Sequence, residues 1–175
     1  MLATPEYVDQ MQSMHRQRAD FGKRGNQWAG MVFANCAELR STDVLDYGCG
    51  KGVLNLCLPF AVHCYDPAIP KYAATPEPAD IVFCGDVLEH IEPDCLEDVL
   101  ADLQRVTKKV GLFFIHCGPA RKKLPDGRNA HLIQKPPSWW AEKLAEYFDV
   151  QESQEVPMMN PDTKQVVPGL LTGFF

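Results

Sequence analysis

At 175 residues, 46% hydrophobic and 23% charged, the chain has the size and composition of one globular domain able to bury a core. No apolar run reaches the ~18 residues of a membrane span, and the opening MLATPEYVDQ lacks the basic-then-apolar order of a signal peptide, so a cytoplasmic protein without membrane partners is expected. The seven cysteines include no CxxC pair and mostly sit inside apolar runs, the habit of small buried hydrophobes, which argues against a disulfide framework or a zinc site.

Residues 5–18 are predicted helical, with Pro5 suited to a first turn and Tyr7, Val8, Met11 and Met14 near helical spacing. Phe21-Gly22-Lys23-Arg24-Gly25 breaks that pattern. A second helix is predicted over 27–39, with Trp28, Met31, Val32, Ala34 and Cys36 as its core stripe. Val44 and Leu45 then open a buried strand that runs through Asp46 into Gly48, Gly50 and Gly52 at alternate positions. Glycines there allow a sharp turn and the approach of a ligand to bare backbone, which a nucleotide-like ligand needs at a strand-to-helix junction. The GxGxxG spacing of a dinucleotide fold is excluded, because Gly52 follows Gly50 by two places, and with it a nicotinamide dehydrogenase is disfavoured.

A short helix is predicted to end at Pro59, which has no amide to continue it. A strand over 60–65 then delivers Asp66, twenty residues after Asp46, where a nucleotide fold places an acid for ribose hydroxyls; a turn aspartate before Pro67 is the alternative. Residues 67–79 hold four prolines in thirteen positions and are predicted to be a loop, too broken for a helix and a strand. A strand over 80–84 ends at Gly85, residues 86–90 cross a pocket mouth, and a helix follows from Pro93 to about 106. A buried strand over 110–117, a loop over 118–135, a helix over 137–147 and a last pair of strands over 148–156 and 169–175 complete an α/β pattern with a central, mostly parallel sheet.

The D-x-G-x-G-x-G of residues 46–52 resembles motif I of the class I S-adenosylmethionine (SAM)-dependent methyltransferases, and DVLEHI at 86–91 resembles the segment after the fourth strand in many of them. The resemblance spans roughly residues 20–175. It implies a Rossmann-like sandwich with an antiparallel last strand, shortened by loss of the usual third strand and its preceding helix. It also implies one methyltransferase domain over 1–175, with N-terminal helices and a lid in 1–40 and a SAM-binding core in 41–175. The cofactor implied is SAM, held by Asp46, Gly48, Cys49, Gly50, Gly52, Asp66, Pro67, Gly85 and Asp86, with Phe21 and Gly22 closing over it. The acid that usually faces the adenine is missing, so Ile69 or Tyr72 is expected to cover that ring.

Methyl transfer from a sulfonium is an in-line displacement that needs alignment above all, and a base when the acceptor is a hydroxyl. Glu89, His116 and His131 are the candidates for catalysis. Asp86, Glu89, His90 and His131 also resemble the metal-binding E-x-x-E-H plus histidine of small-RNA 2′-O-methyltransferases and some quinone O-methyltransferases, although the first acid is shortened to Asp and the spacing to His131 differs. The alternative, preferred over a divalent cation, is that Glu89 braces a helix and His90 packs on the core. Residues 121–135 carry Arg121, Lys122, Lys123, Arg128 and Lys135 against Asp126, a local excess of four positive charges on a chain of net charge −6. That loop either draws in an anionic acceptor or is simply solvated. The expected activity is methyl transfer from SAM to an unidentified acceptor, anionic or hydroxyl-bearing, either a small molecule or a nucleic-acid hydroxyl. The alternative is a non-catalytic SAM- or nucleotide-binding protein acting as a regulator or partner subunit.

Overall fold

The computed structural model describes residues 1–159 and 166–174. Among these, β1 (Val44–Tyr47), β2 (His63–Tyr65), β3 (Ala79–Gly85), β4 (Thr107–His116), β5 (Val150–Met159) and β6 (Val166–Phe174) form one sheet in the order β2-β1-β3-β4-β6-β5. The first four are parallel, β6 runs antiparallel to β4, and β5 antiparallel to β6. This is a Rossmann-like sandwich, mostly parallel in its core. Alternation along the strands divides the side chains between two faces. Val44, Ile81, Phe83 and Leu112 pack with α2 (Ala29–Leu39) and α3 (Val53–Cys57). Leu45, Val82, Cys84, Phe113 and Ile115 pack with α4 (Leu96–Val106) and α5 (Pro137–Ala145). In α4 the buried stripe is Leu96, Val99, Leu100, Leu103 and Val106, an i, i+3, i+4, i+7 pattern, and each of those side chains contributes roughly 1.5–3 kcal/mol by leaving water.

Between β2 and β3 the chain makes only a 3-10 turn at Pro70–Tyr72, tied back by the Asp66 N–H donating to the Tyr72 carbonyl at 3.0 Å. The proline-rich segment is therefore a loop, as its composition predicts, and β2 is left as the sheet edge. Several strand bounds differ from the sequence expectation, and two of them have a local cause. β2 starts at His63 because the Val62 N–H donates to Asn55 Oδ1 at 2.8 Å, which turns residues 60–62 back towards α3. β4 starts at Thr107, three residues early, because Lys108 and Lys109 reach Asp43 and Asp80 at 3.0 and 2.7 Å; a polar start disguises a strand. The closing strands are present, although Phe175 lies outside the described residues. Cys36, Cys49, Cys84, Cys95 and Cys117 are buried, while Cys57 is exposed. Among the described residues no helix is long and apolar enough to cross a membrane.

The first helix, α1 (Pro5–Gln17), is capped by Thr4, whose hydroxyl accepts from the Tyr7 N–H at 3.2 Å. Tyr7 and Met11 bury themselves with Ala68, Leu124 and Ala130 in a third cluster, above the carboxyl ends of the parallel strands. That cluster roofs the site.

Candidate active site

The β1-to-α3 turn is built from left-handed glycines, with φ of +78° at Gly48, +53° at Gly50 and +70° at Gly52. The Tyr65 carbonyl accepts from the N–H groups of Gly48 and Cys49 at 2.7 and 3.0 Å, which fixes the turn against β2. Asp66, 8% exposed, accepts from the Gly50 N–H through Oδ2 and from the Ala68 N–H through Oδ1, both at 2.9 Å. Each oxygen keeps a second lone pair. Burial raises the Asp66 carboxyl above its usual range, and those two backbone bonds oppose the rise. Asp46 is buried beside it; desolvation, then Cys64 and Asp66, pushes its carboxyl up.

The glycines make room for the chain itself. A Cβ on Gly50 would lie 2.8 Å from the Cα and carbonyl oxygen of Gly22, and Gly22 also accepts from the Lys51 N–H at 2.9 Å. The Phe21-Gly22 pair therefore rests directly on the turn. A Cβ on Gly48 would meet Val87 at 2.4 Å, and one on Gly52 the Tyr72 hydroxyl at 2.6 Å. Further ties hold the roof: Lys51 donates to the carbonyls of Arg18 and Ala19 at 2.7 and 3.1 Å, the Tyr7 hydroxyl to the His90 carbonyl at 2.6 Å, and Thr4 to Glu92. Three basic residues near the site are ion-paired, Arg24 with Asp86 at 2.8 Å, Lys122 with Asp20 at 2.9 Å and Arg128 with Asp126 at 2.7 Å.

Across the sheet, β3 and β4 deliver a cluster of imidazoles around a buried acid. Glu89 is fully buried in a 3-10 turn, Leu88–His90; its Oε1 accepts from the His116 N–H at 3.0 Å, and its Oε2 is buried without a partner. One oxygen is thus tied to β4, whereas the sequence reading has Glu89 brace a helix, and the other is left without a partner. Burial, then the neighbouring Asp86, drives the Glu89 carboxyl well above its ordinary range. His90 Nδ1–H donates to the Ala130 carbonyl at 2.7 Å and His131 Nδ1–H to the Gly118 carbonyl at 2.6 Å. A carbonyl only accepts, so both protons sit on Nδ1 and both Nε2 atoms keep bare lone pairs. His116 has the opposite tautomer when neutral, since its Nδ1 accepts from the Gly118 N–H at 3.2 Å. The His131 ring packs 4.7 Å from that of His90 and 4.8 Å from that of His116. Desolvation, then His90, lowers the His131 pKa to about 3.

One ligand atom each from Glu89, His90 and His131 lies within 4.8 Å of the others. Asp86, expected as a fourth ligand, is outside this trio; Arg24 holds its carboxylate, and its backbone is left-handed at φ +56°.

Between the glycine turn and the imidazoles is a cavity of about 410 Å³. Of the residues singled out in the sequence, Asp46, Gly48, Cys49, Gly50, Asp66, Pro67, Gly85, Asp86, Phe21, Gly22, His90, His116 and His131 border it. Gly52 stands behind the turn, Glu89 behind the imidazoles, and neither Ile69 nor Tyr72 reaches the cavity, whose wall there is Pro67 and Ala68. The roof residues Tyr7, His15 and Trp28 also line the cavity, beyond what the sequence motifs indicate. Tyr7, Met11 and His15 are four apart and share a helix face, which was the available signal.

No family model matches the chain, and no curated protein matches it in sequence. Solved structures do match in fold. The Burkholderia thailandensis 1,6-didemethyltoxoflavin-N1-methyltransferase, with 1,6-didemethyltoxoflavin and S-adenosylhomocysteine bound, is 18% identical over 99% of this chain and 91% of that one, with a TM-score of 0.65. The methyltransferase domain of bacterial CtHen1 is 18% identical over 85% of this chain and 97% of that one, at 0.59. The Synechocystis PCC 6803 magnesium protoporphyrin IX methyltransferase, with S-adenosylhomocysteine bound, is 16% identical over 86% and 83%, at 0.58. Sheet order, glycine turn and these likenesses define the fold of the class I SAM-dependent methyltransferases.

Proposed function

We propose that the chain transfers a methyl group from SAM to a hydroxyl of its acceptor, at the carboxyl ends of β1, β3 and β4. The observation that carries this reading is the cavity's two-sided lining, with glycine turn and Asp66 on one side and three imidazoles around a buried acid on the other. A polar ligand fits the lining, because His15 Nδ1, Trp28 Nε1 and Asp86 Oδ1 are buried without partners and all three residues border the cavity. SAM, when bound, supplies an electrophilic methyl on a sulfonium. The remaining lone pairs of Asp66 suit ribose hydroxyls, and the Phe21-Gly22 lid excludes water from the reacting end.

Glu89, His90 and His131 also fit a divalent cation. Two neutral imidazoles with their Nδ1 protons fixed on carbonyls, and one carboxylate oxygen without a partner, make an N₂O donor set. Such a cation would lower the pKa of a coordinated hydroxyl, so that its proton passes to solvent, the oxygen takes the methyl and the sulfonium leaves as the neutral thioether. His131 suits a ligand better than a base, since a general base works best with a pKa near the operating pH and that of His131 is about 3. His116 Nε2–H is left to donate to the acceptor.

Transfer of label from methyl-labelled SAM into pools of nucleic acid, protein and small metabolites tests this, with chelator and then with magnesium, manganese or cobalt. Labelled product that disappears with chelator and returns with the cation is expected. Turnover indifferent to chelator overturns the cation, and SAM binding without any transfer overturns the enzyme in favour of a binding protein.

A further inference from the structure

We propose that Cys64 and Cys49 form a dithiol site for hydroperoxides, with Cys64 as the attacking thiolate and Cys49 as the thiol that resolves it into a disulfide. The thiol chemistry is independent of the SAM reading; its effect on a bound nucleoside rests on that reading.

The backbone brings the pair together. Cys64 lies on β2 opposite Asp46 of β1 in the parallel ladder, and Cys49 sits in the glycine turn that β1 runs into. That turn folds back on β2, because the Gly48 and Cys49 N–H groups both donate to the carbonyl of Tyr65, the residue after Cys64. The two side chains meet there, and the Cys49 thiol donates to the Cys64 sulfur. The loop after β2 completes the setting. The Tyr72 hydroxyl, 2.6 Å from where a Cβ on Gly52 would lie, also donates to the Cys64 sulfur, and the Lys71 ammonium lies 4.3 Å from the centre of the Tyr72 ring. The Asp66 N–H, bonded to the Tyr72 carbonyl at 3.0 Å, keeps this loop folded back.

Two donors and a cation around one sulfur stabilise its thiolate. The Cys49 thiol, with Lys71 and the Tyr72 hydroxyl, outweighs burial and holds the Cys64 thiol down to about 7. Burial wins at Cys36, Cys84, Cys95 and Cys117, whose thiols it pushes up. Cys64 is half-buried on the edge strand, within reach of a small oxidant, while Cys49 is 7% exposed and borders the cavity.

The Cys64 thiolate attacks one oxygen of a hydroperoxide and the O–O bond breaks, leaving a sulfenic acid and an alkoxide or hydroxide that takes a proton from solvent. The Cys49 sulfur then attacks that of Cys64, the S–O bond breaks, and the hydroxide leaves as water with the Cys49 proton. Two thiols lose two electrons and the peroxide gains them. Cys49 is pushed up first by its bond to Cys64, a restraint that ends once Cys64 is oxidised. Closing the disulfide draws Cys49 towards β2, and with it the neighbouring Gly50 N–H that Asp66 holds, which distorts the nucleoside seat.

Hydrogen peroxide treatment of the reduced chain in EDTA, read by thiol titration and peptide mass mapping, tests the site. Loss of two thiols, a disulfide joining Cys49 to Cys64 and recovery with dithiothreitol are expected. Cys64→Ser should abolish that disulfide and slow peroxide consumption about tenfold or more, and Cys49→Ser should stop at a sulfenic acid on Cys64 that dimedone traps. Cys57→Ser, at an exposed thiol on α3, should change the rate of disulfide formation less than about twofold. Oxidation of the wild-type chain that leaves Cys49 and Cys64 as free thiols overturns the site without relying on any variant's fold, as does a Cys64→Ser chain that consumes peroxide as fast as wild type. By calorimetry the oxidised chain should bind S-adenosylhomocysteine about threefold or more weakly than the reduced one. Equal affinities overturn the coupling to the seat, and a reduced chain that binds no S-adenosylhomocysteine overturns the SAM reading while the disulfide result stands.

Discussion

At Asp66 both carboxylate oxygens are held by backbone N–H groups, from Gly50 and Ala68, whereas at Glu89 one oxygen is held by His116 and the other has no partner. Both acids are buried, and burial raises both carboxyls. The first is built into the backbone of two adjoining turns, the glycine turn and its own, so it is structural before any ligand arrives. The second is surrounded by side chains from residues 90, 116 and 131, so its unmet oxygen is available to chemistry. On the proposed function, the nucleoside end would take the backbone-made seat and the reacting end the side-chain cluster.

Breaking the rigid seat should give the largest effect. Gly50→Val forces a β-branched residue to φ +53° with its Cβ 2.8 Å from Gly22, and should cost about 3–5 kcal/mol of stability and abolish S-adenosylhomocysteine binding. Denaturant unfolding and calorimetry read both, and a stable variant that still binds would refute the lid-on-turn packing. Next, Asp66→Ala should lose roughly 2–3 kcal/mol, because two backbone donors lose their acceptor, as well as ligand affinity. Asp66→Asn should recover part of the stability, since the amide oxygen still accepts one bond; equal losses for the two variants would contradict the seat.

The side-chain cluster should respond in the opposite sense. Glu89→Gln keeps an acceptor for the His116 N–H and removes the charge, so the fold should hold within about 1 kcal/mol while cobalt affinity, read from the visible absorption of the bound ion, falls tenfold or more. Loss of stability with no change in cobalt binding would make Glu89 a brace only. The smallest effect belongs to the roof's surface pair. Lys122→Ala breaks a contact to Asp20, whose side chain is 71% exposed, and should move stability and nucleoside affinity by no more than about 1 kcal/mol. A larger change would mean that the lid depends on its charges.

How much was legible in the sequence follows the same division. Asp46, Gly48, Gly50 and Asp66 stand at strand ends and turns that their residue types mark locally, and the four prolines of 67–79 forbid a helix within their own segment, so spacing carried these features. The sheet followed because its buried strands are continuous apolar runs, except where Lys108 and Lys109 put ion-paired polar residues into β4. Pairings over long separations left no local trace. Arg24 meets Asp86 from 62 residues away, and His90 meets Ala130 and His131 across a loop whose basic character left both an anionic acceptor and plain solvation open. Two of its charges, Lys122 and Arg128, are ion-paired, and its histidine is what reaches the site. Tyr72 was misread for a related reason, since its hydroxyl fills the space behind Gly52 and leaves the cavity wall to Ala68.

The most direct test of the central claim is a crystal structure with S-adenosylhomocysteine bound. The ribose hydroxyls should lie at Asp66, the thioether over the glycine turn and the sulfur facing His116 and His131. A ligand bound elsewhere, or one whose sulfur faces away from those imidazoles, would contradict it.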